Sequence, residues 1–169
     1  MGGKTAMEFA TDHPDRLHQL VVADIAPKAY PAHHQDILKA LNSLDFDQVK
    51  SRSQADAVLQ QYIPDVGTRQ FLLKNLYWVE KGQLGLRINL PVLTQKVAAV
   101  GEQLDPSKLY EGPSLFVRGG KSGYVTDLDL LSIKHQFPDF KLETIQGAGH
   151  WLHAEQPLEF QAIIANFLK

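Results

Sequence analysis

Leu20-Val21-Val22-Ala23-Asp24-Ile25, closed by Pro27, is the stretch on which the fold turns. It is short, β-branched and almost wholly apolar, the pattern of a strand buried on both faces of a parallel sheet. The residues before it complete a unit. Across 2–13, Ala6, Met7, Phe9 and Ala10 supply an apolar helical face, and the His13-Pro14 step ends that helix. The reason is steric, since proline disfavours the α conformation in the residue before it. A polar turn over 15–19 then leads into the strand. Helix, short turn and buried strand make half of a parallel α/β layer.

The same layer pattern resumes far downstream. Ser114-Leu115-Phe116-Val117-Arg118 reads as a strand running into Gly119-Gly120, 127–137 as a helix, and 141–146 as another strand. Gly147-Ala148-Gly149-His150 is a loop, and 157–168 is a closing helix carrying Leu158, Phe160, Ile163, Ile164 and Phe167. The expected core is therefore α/β, with about three parallel strands and flanking helices, built from 1–27 and 113–169. Between these pieces, 28–112 changes character. Apolar residues recur at helical spacing in 35–44, 54–63, 68–79 and 91–103, and Lys81-Gly82-Gln83 marks a turn. No clear buried strand interrupts this region, which predicts a mostly helical insertion ended by Gly112-Pro113.

Composition narrows the class. The 169 residues are 44% apolar and 21% charged, as expected of a folded domain rather than a disordered chain. Seventeen basic and nineteen acidic residues are spread evenly, so no basic block points to nucleic acid. Without cysteine there is no disulfide, thiolate nucleophile or cysteine-ligated metal. No apolar run approaches the roughly 18 residues of a membrane span, and the Met1-Gly2-Gly3-Lys4 start lacks a signal-peptide plan. The expectation is a cytoplasmic protein.

Three features bear on chemistry. His150 follows a strand and two glycines, and loops after strand C-termini form the ligand crevice of open α/β sheets. A histidine there suits a general base, or is one surface histidine among seven. Asp24 ends an apolar strand, where an ionised carboxylate is costly unless paired. It could orient a histidine from a neighbouring loop or cap the turn at Ile25-Ala26-Pro27. Gly2 and Gly3 would let a helix start pack closely on a strand and approach an anion, or they form only a flexible terminus. The other histidines, His33-His34 included, show no metal-ligand spacing, and that pair is expected to be solvated.

Met1-Gly2-Gly3-Lys4 resembles the second half of the α/β-hydrolase nucleophile elbow, Gly-x-Ser-Met-Gly-Gly. Val22-Ala23-Asp24-Ile25-Ala26-Pro27, Arg69-Gln70-Phe71-Leu72-Leu73-Lys74-Asn75-Leu76, Arg87-Ile88-Asn89-Leu90-Pro91 and Phe116-Val117-Arg118-Gly119-Gly120-Lys121-Ser122 resemble the YbfF-type bacterial esterases and their mitochondrial relatives. The likeness runs the whole length of the chain. It implies the C-terminal portion of an α/β-hydrolase fold with a helical cap over 28–112, the nucleophilic serine falling one residue before Met1.

It also implies roles for individual residues. Asp24 matches the family's acid, after the strand that follows the nucleophile helix, and His150 matches its base. Most other α/β-hydrolases carry the acid one strand later, where this chain has Ser122, which has no carboxylate. Asp127 and Asp129 lie beyond it, where helix capping and dipole stabilisation account for them. The Met1 backbone N–H corresponds to an oxyanion-hole donor. Trp151 and Leu152 follow the histidine and could line the crevice or belong to the core. The implied reaction needs no cofactor and takes a carboxylic ester or acyl thioester. Alternatively the chain is a shortened, non-catalytic module. In either case the expected partner is a second copy or an N-terminal fragment, because the strand at 20–25 would otherwise be a bare edge.

Overall fold

Apolar periodicity and proline punctuation set the first layer of the computed structural model, which describes residues 1–31 and 35–169. Helix α1 (Gly2–Asp12) turns Met7 and Ala10 inward, and Pro14–Arg16 form a short 3₁₀ turn. Strand β1 (Leu20–Ala23) follows. It is shorter than its apolar run, because Asp24 takes a left-handed φ of 48° and turns the chain out of the sheet. It is also buried on one face rather than both, with Leu20 and Val22 inside and Val21 and Ala23 half-buried.

The chain then forms a separate compact unit, Pro31–Val100. It contains α2 (Gln35–Asn42), α3 (Arg52–Gln60), α4 (Val66–Leu73), β2 (Leu76–Glu80), β3 (Gln83–Leu86) and α5 (Leu90–Val100). Ser51 caps α3 by accepting the Gln54 N–H, and Asp65 caps α4 by accepting the Thr68 N–H. Leu41, Leu59, Leu72, Leu76 and Leu84 form its core. Buried Arg69 links α4 to α3 through Asp56 at 2.9 Å and donates to the Ile63 and Pro64 carbonyls.

Here the structure corrects the sequence reading. The helix expected over 68–79 stops at Leu73, and β2 and β3 pair as an antiparallel hairpin. Tyr77, Trp78 and Val79 favour the pleated conformation, and Gly82 supplies the positive φ of 84° that the connecting turn requires. The short, irregular strands gave no clean alternation to read.

The first unit, Met1–Tyr30 with Gly101–Lys169, holds the parallel sheet. Its remaining elements are β4 (Ser114–Gly119), α6 (Leu130–Gln136), β5 (Phe140–Ile145), α7 (Leu152–Glu155) and α8 (Pro157–Phe167). Strand order is β1-β4-β5, with Val22 beside Phe116 and Phe116 beside Leu142. Central β4 alternates its burial between two cores. Phe116 points into one with Met7, Ala10, Val22, Ile133 and Phe137, and Leu115 and Val117 point into the other with Ile145, Ala148 and Leu152. Residues 101–112, read from sequence as part of the insertion, pack with the sheet: Leu104 and Tyr110 are buried there, and the Leu104 N–H donates to the Pro27 carbonyl. Among the described residues no helix is long and apolar enough to cross a membrane.

Candidate active site

Asp24 and His150 are 126 residues apart in sequence and meet at the C-terminal end of the sheet. The left-handed turn at Asp24 aims its carboxylate across the end of β4, and the side chain has no exposed surface. A bare carboxylate there would be strongly destabilised. Three donors offset this. The Gly119 N–H donates to Oδ1 at 3.2 Å, the Ser122 hydroxyl donates to Oδ2 at 2.5 Å, and His150 Nδ1 lies 2.8 Å from Oδ2. An ionised carboxylate only accepts, so in the neutral imidazole this contact places the proton on Nδ1 and leaves the lone pair on Nε2. The His150 side chain is 44% exposed, so the ring remains open to solvent.

The His150 loop is held tightly. A Cβ on Gly119 would stand 2.2 Å from the Gly149 carbonyl oxygen, and one on Gly120 would stand 2.8 Å from Gln146 Cα. Only glycine lets the end of β4 approach this loop so closely. Glu155, in α7, reaches back to accept the Gly149 N–H at 2.9 Å and the Trp151 N–H at 3.2 Å, bracing the backbone on either side of His150.

The residues singled out from sequence take different places. Asp24, His150 and Ser122 come together. Met1 caps α1 with an exposed side chain, its carbonyl accepting the Thr5 N–H. Gly3 is required by packing, since a Cβ there would sit 2.3 Å from Ile25 Cγ2. Trp151 is 38% exposed at the start of α7. Leu152 takes the core role that the sequence left open: it has no exposed surface and packs with Leu115, Val117, Ile145 and Ala148. Asp127 is exposed and paired with Arg118 at 2.7 Å. Asp129 closes a capping box with Thr126 and binds Lys28 at 2.7 Å. His13 lies against Phe9, His135 contacts the Pro106 carbonyl, and His153 lies against Phe160. His33 and His34 fall outside the described residues.

Sequence reasoning passed over Tyr124 and Glu155. The Tyr124 ring stacks on the His150 imidazole, with centroids 4.1 Å apart and planes at 21°. A tyrosine two positions beyond the serine turn carries no local mark of that contact. Glu155, five residues after the histidine, carries no mark in the sequence of its bonds to the loop backbone.

No protein-family model matches the chain. Curated proteins and solved structures do. The chain is 38% identical to Esterase YbfF of Escherichia coli (strain K12), over 99% of this chain and 64% of that protein. It is 36% identical to the mouse sn-1-specific diacylglycerol lipase ABHD11, over 99% of this chain and 56% of that protein. A solved marine microorganism esterase superposes with a TM-score of 0.92 at 40% identity, covering 98% of this chain and 66% of that one.

The chain belongs to the α/β-hydrolase superfamily, among the YbfF-type esterases.

As an α/β-hydrolase it spans between about half and two thirds of the length of these relatives. Their names place ester hydrolysis at the level of the family. Within the α/β-hydrolase fold, the Asp24 turn and the His150 loop occupy the sheet end where such folds gather their ligands.

Proposed function

We propose that this chain supplies the acid and the base of a Ser-His-Asp ester hydrolase, with Asp24 as the acid and His150 as the base. The serine comes from an elbow completed by sequence outside these 169 residues. The observation that carries this is the contact between the half-exposed imidazole and a fully buried, left-handed carboxylate. A purely structural ion pair would not need the strained backbone or the open Nε2.

The chemistry follows from the donors. His150 Nε2 takes the proton of the serine hydroxyl as that oxygen attacks the acyl carbonyl. Asp24 holds the tautomer and stabilises the imidazolium without becoming protonated. The Met1 N–H, at the start of α1, supplies one oxyanion donor. His150 then protonates the departing alcohol or thiol, and water repeats the sequence to release the acid. The substrate class is a carboxylic ester or acyl thioester, and the site is cytoplasmic. Without the nucleophile the chain retains at most a small residue of the rate. Turnover of p-nitrophenyl acyl esters should be absent from the chain alone. It should appear when an elbow-bearing N-terminal segment is joined to it, and vanish again in His150→Ala. Saturable turnover by the chain alone would overturn the proposal.

One observation also favours association. Among the described residues β1 pairs only with β4, and Phe9 and Leu158 are exposed on the flanking helices. An unpaired apolar edge recruits another chain. We propose that a second copy or an N-terminal fragment occupies it, which would also serve a non-catalytic binding module.

A further inference from the structure

We propose that Tyr124 is a positioning residue for His150: its ring is the platform that holds the imidazole with Nδ1 on Asp24 and favours the protonated ring during turnover. This rests on the assignment of His150 as the base. The two rings are nearly parallel and 4.1 Å apart, so the phenol covers one face of an otherwise open imidazole. A single hydrogen bond to Asp24 leaves the imidazole free to rock about that bond. A flat neighbour removes that freedom.

The platform is itself anchored. The Tyr124 N–H donates to the Ser122 hydroxyl oxygen at 3.2 Å, and that hydroxyl donates to Asp24. Its carbonyl accepts the Tyr30 hydroxyl at 2.7 Å, and the Tyr30 ring stacks behind it at 5.5 Å and 29°. Tyr30 also accepts the Ala26 N–H, two residues past Asp24. Burial drives the Tyr30 hydroxyl far above its ordinary range, so it stays neutral and keeps donating. Lys4 and Lys28 lie over the Tyr30 ring at 5.3 and 5.1 Å. The turns that carry the acid and the ring are therefore tied to one another before substrate arrives.

The stack has a chemical consequence. As the serine proton moves to Nε2, positive charge develops on a ring lying against an aromatic face, and that face attracts it. A π-face does this without placing a second anion beside Asp24.

Nuclear magnetic resonance of the 169-residue chain tests the geometry, with the His150 ring signals assigned through His150→Gln. In Tyr124→Leu those signals should lose their upfield ring-current shift, and in Tyr124→Phe they should keep it, since only the hydroxyl is removed. In the chain joined to an elbow-bearing segment, Tyr124→Leu should lower kcat about two- to fivefold with KM unchanged, and Tyr124→Phe should restore it. Unmoved ring signals in Tyr124→Leu, or moved signals with unchanged kcat, would overturn the proposal. A fall in KM alone, or failure of phenylalanine to rescue, would do the same. The parent assignment fails separately: turnover surviving in His150→Ala would remove His150 as base while leaving the stack visible in the spectra.

Discussion

Asp24 sits at the end of a strand in a backbone conformation that few residues other than glycine, asparagine and aspartate adopt. Its carboxylate is buried where only a complete set of donors makes it tolerable. Strain observed in this way points to function rather than following from it. In the enzyme carrying its elbow, Asp24→Asn should lower kcat by about four orders of magnitude, because an amide fits the space but holds the wrong tautomer. Steady-state kinetics checks this, with near-UV circular dichroism to show an intact fold. Near-normal turnover would move the acid elsewhere, and Asp127 is a poor second choice because Arg118 already holds it. Gly119 is constrained by backbone rather than by side chains, so no rotamer change can relieve an added methyl. Gly119→Ala should destabilise the fold by about 1–3 kcal/mol and displace the His150 loop. Thermal melting measures the first effect and the His150 ring signals the second.

Elements show where local preference and context diverged. The β2–β3 hairpin depends on Gly82, whose positive φ costs any other ordinary residue about 1–2 kcal/mol. Gly82→Val should lower the melting temperature by that much stability, and an unchanged melt would place the turn elsewhere. The turn before α6 makes a pH-dependent contribution. Burial pushes the Asp129 carboxyl up, but the Lys28 ammonium and the Thr126 N–H and hydroxyl outweigh it and hold it below its usual value. A carboxyl depressed in the folded state stabilises the fold fully above its unfolded value, about pH 3.9. That contribution is lost as the pH falls further, through the depressed folded value. Asp129→Asn should therefore be less stable than the parent at neutral pH, and the gap should close in acid. Urea melts at several pH values measure this, and a gap that widened in acid would reverse the sign.

At the scale of the molecule the parallel sheet is half-dressed. Helix α8 has no fully buried residue, Leu158 is 81% exposed, and among the described residues one edge of β1 carries no partner strand. Apolar surface of this kind is unusual on a monomer, and two copies of β1 pairing about a two-fold axis would cover part of it. Sedimentation equilibrium at micromolar concentration should find a dimer or larger, and an added N-terminal segment should dissociate it. A well-packed monomer at those concentrations would sink the proposal.

What the sequence determined by itself was the order of the α/β layers, and its family resemblance singled out Asp24 and His150. Apolar period, proline steps and glycine pairs are local signals, and each was legible within about a dozen residues. The central strand announced itself through Leu115, Phe116 and Val117, although only the sheet showed that β4, and not β1, is buried on both faces. What lay out of reach depended on contacts between distant residues. The hydroxyl of Ser122 meets Asp24 across 98 positions, Tyr124 finds His150 after the loop closes, and Leu152 turns inward because the two cores share β4. No local pattern encodes such meetings, because the free energy of a long-range contact is settled only when the sheet brings its strand ends together.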